Sequence, residues 1–223
     1  MSTEEPQLDV LPNPEAVAMS AAVMVLEQAR AAVQAHGAFN FAVSGGRTPW
    51  AMFAQLAHED FPWNDTTVFQ VDERIAPEGD PSRNLTHLKE SLPAAATGRV
   101  CAMPVNDPDL DAAARDYERS LPERFDLIHL GLGPDGHTAS LVPGDPVLDV
   151  VDRDVALTQP YQQHRRMTIT YPVIDRALML LWLVTGSDKT DALRGLRHRD
   201  RSIPAGRVTN GHAVILADTA AVG

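Results

Sequence analysis

The chain has 223 residues, of which 44% are apolar and 22% are charged, and 19 Lys and Arg against 30 Asp and Glu give a formal net charge of −11. This composition predicts a folded domain, and its acidity argues against binding to nucleic acids or to an anionic membrane. The single cysteine, Cys101, excludes an internal disulfide and a cysteine-based zinc site, which favours a cytoplasmic protein.

The N-terminal segment begins with acidic residues and lacks the basic start and apolar run of a signal peptide. We expect residues 1–13 to form a flexible leader and residues 14–223 to form a single domain, because no linker or repeat divides the chain. The longest apolar stretch that we identify, at 177–184, is too short to cross a bilayer, so no transmembrane segment is predicted.

The first part of the chain alternates helix and strand patterns. Residues 14–36 are rich in good helix formers, and Gly37 follows as a stop, which predicts a long helix. The apolar run at 39–43 predicts a buried strand. A second helix is expected over 49–57, with Thr48 as its N-cap and a proline in its first position.

The same alternation continues to the end of the chain. Strands are predicted at 67–71, 99–103, 125–130, 167–170, 178–184 and 213–216. Helices are predicted at 84–92, at 187–196 and, with Asp107 as the N-cap, at 107–121. Because several strands are continuous apolar runs, the pattern is typical of a three-layer, doubly wound α/β domain of Rossmann-like type, with a mostly parallel sheet and helices on both faces.

Four loops of this domain follow the carboxyl ends of predicted strands, at 44–48, 72–74, 131–137 and 185–189. Ligands of open α/β sheets bind beyond those strand ends. We therefore expect the four loops to converge on one crevice.

The first of these loops reads Ser44-Gly45-Gly46-Arg47-Thr48 and precedes a predicted helix. Adjacent glycines let backbone N–H groups approach a ligand, and the helix start adds a positive dipole end. The loop therefore predicts an anion site suited to a phosphate monoester. An ordinary tight turn capped by Thr48 is the alternative.

The second loop, Asp72-Glu73-Arg74, places two carboxylates beside an arginine after a buried strand. Arg74 is suited to hold a phosphate or a developing oxyanion, and Asp72 is suited to act on a proton. A surface ion pair that contributes little to stability is the alternative.

The third loop runs from Gly131 to His137 and contains a GxGxxG pattern. We reject a dinucleotide fingerprint, because Leu141-Val142-Pro143-Gly144 would end the helix that such a fingerprint needs. The remaining Asp135-Gly136-His137 predicts that His137 is a general acid or base whose ring Asp135 orients. A histidine that only hydrogen-bonds the loop is the alternative.

The fourth loop, Gly186-Ser187-Asp188-Lys189, ends a strand and starts a helix. Lys189 would reach the crevice as a phosphate partner, and Arg166, at the start of a strand, would add a further charge. A solvated lysine is the alternative for Lys189. We interpret the nearby basic run as a solvated face with acidic neighbours; it comprises Arg194, Arg197, Arg199 and Arg201.

Convergent cationic groups, an N–H-rich loop and one histidine indicate a small phosphorylated substrate. Beyond this, the chain resembles the 6-phosphogluconolactonase family, within a wider group that includes glucosamine-6-phosphate deaminase and ribose-5-phosphate isomerase. Four blocks carry the resemblance, in the family's order. They are Phe41–Pro49, Val71–Arg74 with Pro77 and Asn84, Asp126–Leu141, and Arg166–Thr170 with Leu183–Lys189.

Two positions separate the branches of this group. The deaminases have Asp-Glu-Tyr where this chain has Asp72-Glu73-Arg74, and they have Asn-Glu where it has Ser140-Leu141. Both positions favour the lactonase branch. The chain departs from the family at Val142, which replaces the usual Phe, and at Arg83, which replaces a common Ser.

The resemblance implies hydrolysis of 6-phospho-D-glucono-1,5-lactone in the oxidative pentose phosphate pathway, without a metal or organic cofactor. It implies that His137, assisted by Asp135, activates a water, and that Arg74 or a backbone N–H of a glycine loop stabilises the oxyanion. No obligate protein partner, nucleic acid or membrane is implied. The residues expected to bind the substrate are Ser44, Gly45, Gly46, Arg47, Thr48, Asp72, Arg166 and Lys189.

Two other functions stay open on the sequence alone. A sugar-phosphate isomerase or deaminase of the same fold would use Asp72 to move a carbon-bound proton. A sugar-phosphate-binding regulator would bind its ligand without turnover. A dinucleotide oxidoreductase is set aside together with the fingerprint, and only NAD binding in a titration would reopen it.

Overall fold

The computed structural model describes residues 5–93, 96 and 98–223. An open seven-stranded sheet forms the central layer of this part of the protein. In chain order, the strands described are β1 (Gln7–Leu11), β2 (Phe39–Val43), β3 (Thr66–Gln70), β4 (Asp72–Arg74), β5 (Val100–Cys101), β6 (Leu127–Gly131), β7 (Val155–Leu157), β8 (Arg166–Ile169), β9 (Leu180–Val184) and β10 (Ala213–Asp218). The large sheet has the order β1-β10-β9-β6-β2-β3-β5, and its paired strands are parallel. The mostly parallel α/β fold predicted from the sequence is confirmed.

Helices cover both faces of this sheet. They are α1 (Pro14–His36), α2 (Arg47–Leu56), α3 (Asn84–Ser91), α4 (Leu110–Ser120), α5 (Tyr171–Asp175), α6 (Thr190–Arg197) and α7 (Thr219–Val222). Side chains of α1, α2 and α3 share one apolar cluster with the sheet, and those of α4, α5 and α6 share another. In β9, Leu181 and Leu183 enter the first cluster, whereas Leu180, Trp182 and Val184 enter the second. This alternation along a strand that is buried on both sides produces three layers.

A second, smaller sheet was not predicted. Strands β4, β8 and β7 pair antiparallel in that order, with Asp72 opposite Thr168 and Arg74 opposite Arg166. The prediction treated 72–74 as a loop because three polar residues carry no strand pattern of their own. Their pairing partner lies far away in the sequence, and it places the two arginines side by side.

Two predicted helix N-caps are wrong. Helix α2 begins at Arg47 after Gly46, so Thr48 is not its N-cap; the Thr48 hydroxyl instead lies 3.1 Å from the Thr185 hydroxyl. Helix α4 begins three residues later than expected, and its N-cap is Asp109, whose carboxylate accepts a hydrogen bond from the Ala112 N–H. In both cases a nearby polar residue with capping chemistry was available, and tertiary packing selected another.

The expectation of a flexible leader over residues 1–13 needs correction at Gln7–Leu11. These residues form β1, which pairs parallel with β10 from Gln7 and Val214 to Leu11 and Asp218. Leu8 packs against the apolar core behind the sheet. The strand is short and lies at the edge of the sheet, so its sequence pattern is weak. Residues 1–4 lie outside the described part.

Helix α1 is long and apolar enough to cross a membrane by length and composition alone, with a mean hydropathy of 1.4. The prediction that no segment could cross a bilayer considered only the stretch at 177–184 and did not take this helix into account. In the structure, Val17, Ala21 and Val25 are fully buried in the apolar cluster that α1 forms with α2 and the sheet. These side chains form the buried face of α1, whereas Met19 and Val23 of the same helix are exposed.

Candidate active site

The carboxyl ends of the parallel strands surround a crevice of about 310 Å³. All four predicted loops contribute to it, so their expected convergence is confirmed. Of the residues singled out in the sequence, those that line the crevice are Ser44, Gly45, Asp72, Arg74, His137, Arg166 and Lys189. Gly46, Arg47 and Thr48 instead line an adjoining cavity of about 580 Å³, which shares Gly45 and Lys189 with the crevice.

His137 is held by its own loop. Its Nδ1 lies 2.5 Å from Oδ1 of Asp135, and its backbone N–H donates to the same oxygen at 3.2 Å. Gly133 makes room for the ring, because a Cβ at that position would lie 2.1 Å from the His137 Nδ1. The hydrogen bond to Asp135 occupies Nδ1 and leaves Nε2 as the nitrogen available to a ligand.

Asp135 stands behind His137 and outside the lining of the crevice. Burial raises the pKa of this carboxyl, but the neighbouring His137 ring and hydrogen bonds from His137 and Tyr161 outweigh burial, so its pKa lies below the ordinary value. The group is therefore ionised at neutral pH, as an acceptor for the imidazole N–H must be.

No helix follows the GxGxxG pattern. The backbone after Gly136 makes a tight turn, in which Thr138 and Leu141 form an isolated bridge. The rejection of a dinucleotide fingerprint is confirmed on this point, because that fingerprint places the phosphates at the start of a helix.

Glu73 is fully buried, so the interpretation of Asp72-Glu73-Arg74 as a surface ion pair is wrong for this residue. Its carboxylate accepts hydrogen bonds, each 2.8 Å long, from the backbone N–H groups of Arg74, Asn84 and Leu85. The last two N–H groups open α3, where a carboxylate is favoured by the helix dipole. Arg83, the departure from the family, is also buried and approaches Glu73 with its Nε at 3.4 Å.

Arg74 is aimed into the crevice by two acceptors. Its Nη1 donates to the Asn84 Oδ1 at 2.6 Å and to the Ser82 carbonyl at 3.0 Å. Asn84 in turn packs so closely on Gly45 that a Cβ there would lie 2.0 Å from the Asn84 Oδ1. The first glycine of the loop is thus needed for a close approach between two loops.

Asp72 and Arg166 are both buried and meet at Ser140, which lies at one of the two positions that separate the family branches. The Ser140 hydroxyl donates to Asp72 at 2.6 Å, and Arg166 Nη1 donates to the same hydroxyl at 3.4 Å. Among the described residues, the Arg166 Nε has no hydrogen-bond partner. Burial lowers the pKa of Arg166, and the charge of Asp72 opposes this shift.

Lys189 reaches both the crevice and the adjoining cavity. Its side chain is 19% exposed, and its Nζ lies 3.0 Å from the Asp188 carboxylate. A fully solvated lysine is therefore excluded. Farther along, Arg194 and Arg197 pair with Asp191 and Glu5, which agrees with the interpretation of that basic run as a solvated face.

A histidine that was not predicted from the sequence lies directly beneath the glycine loop. His129 lies in β6 with no exposed surface, and its Nδ1 accepts a hydrogen bond from the Ser44 N–H at 3.3 Å. Burial lowers the pKa of His129 to about 3. The ring is therefore neutral and serves as an acceptor. Its place inside an apolar strand gave no signal in the sequence.

A family profile described as "Glucosamine-6-phosphate isomerases/6-phosphogluconolactonase" matches residues 12–217. A 6-phosphogluconolactonase from Synechocystis is 36% identical over 204 residues, which cover 84% of this chain and 83% of that protein. The human GDH/6PGL endoplasmic bifunctional protein is 38% identical over 182 residues; this match covers 72% of this chain but only 22% of that longer protein.

A solved structure gives the same result. The 6-phosphogluconolactonase from Thermotoga maritima superposes with a TM-score of 0.85 at 26% identity, covering 96% of this chain and 99% of that one. Profile, sequence and structure agree over nearly the whole length of the chain. The chain belongs to the family of glucosamine-6-phosphate isomerases and 6-phosphogluconolactonases.

Proposed function

We propose that the protein hydrolyses 6-phospho-D-glucono-1,5-lactone to 6-phospho-D-gluconate, the second step of the oxidative pentose phosphate pathway. The observation that carries this proposal is the convergence of His137, already paired with Asp135, and of three cations on one crevice. The relatives with 36% and 26% identity that match most of this chain bear the name of this activity.

The chemistry needs one base and one oxyanion donor. His137 Nε2 takes a proton from a water, whose oxygen attacks the lactone carbonyl carbon. Arg74, or a backbone N–H of a glycine loop, stabilises the negative charge that develops on the carbonyl oxygen. When the intermediate collapses, the bond between that carbon and the ring oxygen breaks, and the ring oxygen takes the proton back from His137. The products are a carboxylic acid and a hydroxyl.

The remaining residues bind the substrate. Arg166 and Lys189 provide positive charge for the phosphate, together with the backbone N–H groups of the Ser44-Gly45-Gly46 loop and with Arg47 and Thr48 in the adjoining cavity. Asp72 holds a sugar hydroxyl. It already accepts hydrogen bonds from Ser140 and Asn84, which suits binding better than proton abstraction from carbon.

The proposal includes no cofactor, no nucleic acid or membrane partner, no obligate protein partner and a cytoplasmic location. The acidity of the chain argues against a nucleic-acid or membrane partner, and its lone cysteine fits a cytoplasmic location. Within the described residues, no cluster of three or more His, Cys, Asp or Glu side chains is arranged to hold a metal ion.

The test is acid release from freshly generated 6-phosphogluconolactone, measured beside ammonia release from glucosamine 6-phosphate. We expect lactone hydrolysis orders of magnitude above the spontaneous rate, and no ammonia. Ammonia release without accelerated lactone hydrolysis would show that the protein is a deaminase and not a lactonase. Sugar-phosphate binding without either reaction would favour a regulator.

A further inference from the structure

Tyr161 lies beside the Asp135–His137 pair, although it belongs to no motif identified in the sequence. It sits in the turn between β7 and β8, where Gln162 and Gln163 have left-handed backbone conformations with φ of 46° and 72°. Residues with a side chain adopt this conformation at an energetic cost, and such strain is typically retained where it serves a site. The turn therefore invites a functional explanation.

The hydroxyl and the ring of Tyr161 make separate contacts. The hydroxyl donates to Asp135 Oδ2 at 3.0 Å and accepts from Gln162 Nε2 at 3.2 Å. The ring meets the His137 ring edge-on, with centroids 5.5 Å apart, and the Arg166 guanidinium lies 5.1 Å from its centroid. Tyr161 thus contacts both Asp135, which holds the proposed base, and Arg166, which is proposed to bind the phosphate.

We propose that Tyr161 is a positioning residue with two roles: its hydroxyl fixes the Asp135 carboxylate behind His137, and its ring supports Arg166. Occupation of Oδ2 by the hydroxyl leaves Oδ1 for the imidazole. The same hydrogen bond withdraws charge from the carboxylate, so its removal makes protonated His137 more favourable. The inference rests on the proposed lactonase function for the roles of His137 and Arg166.

Asp135 and Tyr161 contact His137 directly, and charged groups from other elements line the same crevice, namely Asp72, Arg74, Arg166 and Lys189. The segment 203–205 packs against Gly136 and brings Ile203, Pro204 and Ala205, none of which titrates. Replacement of Tyr161 by Phe keeps the ring and all the other charges. Any change in the titration of His137 then reports the hydroxyl alone.

The first test needs no substrate. The ring signals of His137 are followed by NMR over pH in wild type and Tyr161→Phe, with the assignment taken from the signal missing in His137→Gln. We expect a higher titration midpoint in Tyr161→Phe than in wild type, because the Asp135 carboxylate loses a hydrogen bond that withdraws charge. Tyr117→Phe is the control, because the Tyr117 hydroxyl also donates a hydrogen bond, to the buried Gln70 carbonyl, and should leave the midpoint unchanged. An unchanged midpoint in Tyr161→Phe would overturn the role of the hydroxyl.

The second test measures the ring. Calorimetric dissociation constants for 6-phosphogluconate should be similar in wild type and Tyr161→Phe, and roughly 3- to 10-fold weaker in Tyr161→Ala. Equal affinity in Phe and Ala variants would overturn the role of the ring. If wild type does not bind the compound, the ring's role and the proposed function fail together, whereas the NMR titration still decides the role of the hydroxyl.

Discussion

His129 shows how a single buried side chain links the glycine loop to the stability of the protein. Because its pKa is lowered from 6.5 to about 3 by burial, the unfolded chain binds a proton below pH 6.5 that the folded chain does not. Stability contributed by the neutral ring is therefore present above pH 6.5 and is lost progressively as the pH falls towards 3.

Because of this residue, we expect the unfolding free energy of the wild type to be about 2 kcal/mol lower at pH 5 than at pH 7. Urea unfolding at both pH values should show a correspondingly smaller loss in His129→Leu, which keeps the backbone and removes the titrating group. His58→Gln, at an exposed histidine, should match wild type. An identical loss of stability in all three proteins would contradict the assignment of a neutral buried His129.

Gly45 tests whether a close approach between loops positions the site. In Gly45→Ala, the new methyl group must displace the Asn84 side chain, which otherwise holds Arg74 at 2.6 Å. We expect kcat/KM for the lactone to fall roughly 100-fold while the protein stays folded by circular dichroism. Gly98→Ala should behave as wild type, since its added Cβ meets no described atom within 4 Å. Equal activity in both variants would argue against this packing role.

At the scale of elements, the strength of the sequence pattern decided what could be predicted. Strands β2, β6 and β9 are almost entirely apolar, and their predicted positions are confirmed to within two residues. Strand β4 consists of three polar residues and exists only through its pairing with β8, so no local pattern could reveal it. Tyr161 and Gln162 reach the site through that same pairing, which is why they were missed, whereas His137 and Lys189 follow strand ends that the pattern marks clearly.

Glu73 joins two of these elements, because its carboxylate accepts from the backbone of β4 and from the first N–H groups of α3. In Glu73→Gln, an amide replaces one acceptor oxygen and faces backbone donors in a fully buried place. We expect a loss of about 2–4 kcal/mol in unfolding free energy, measured by urea denaturation, together with weaker catalysis. Glu78→Gln, in the exposed part of the same connection, is the matched control. A Glu73→Gln protein as stable as this control would refute the proposed role of the Glu73 carboxylate in joining β4 to α3.

At the scale of the whole molecule, positive charge is concentrated in the crevice although the chain is acidic. A protein with a formal net charge of −11 places Arg74, Arg166 and Lys189 around one crevice, with Asp72 as the acidic residue that lines it. The parallel sheet makes this concentration feasible, because distant segments meet where its strands end. The positions of the loops after strand ends therefore predicted that they converge on one crevice. The antiparallel sheet that pairs Arg74 with Arg166 could be found only in the structure.

The roles of His137 and Lys189 are tested by measuring kcat and KM separately for lactone hydrolysis by wild type, His137→Ala and Lys189→Ala. The proposed base predicts that His137→Ala lowers kcat by roughly 100- to 10,000-fold with little change in KM. The proposed phosphate partner predicts that Lys189→Ala raises KM roughly 10- to 100-fold with a smaller effect on kcat. Full kcat in His137→Ala would contradict the assignment of this histidine as the base that activates water.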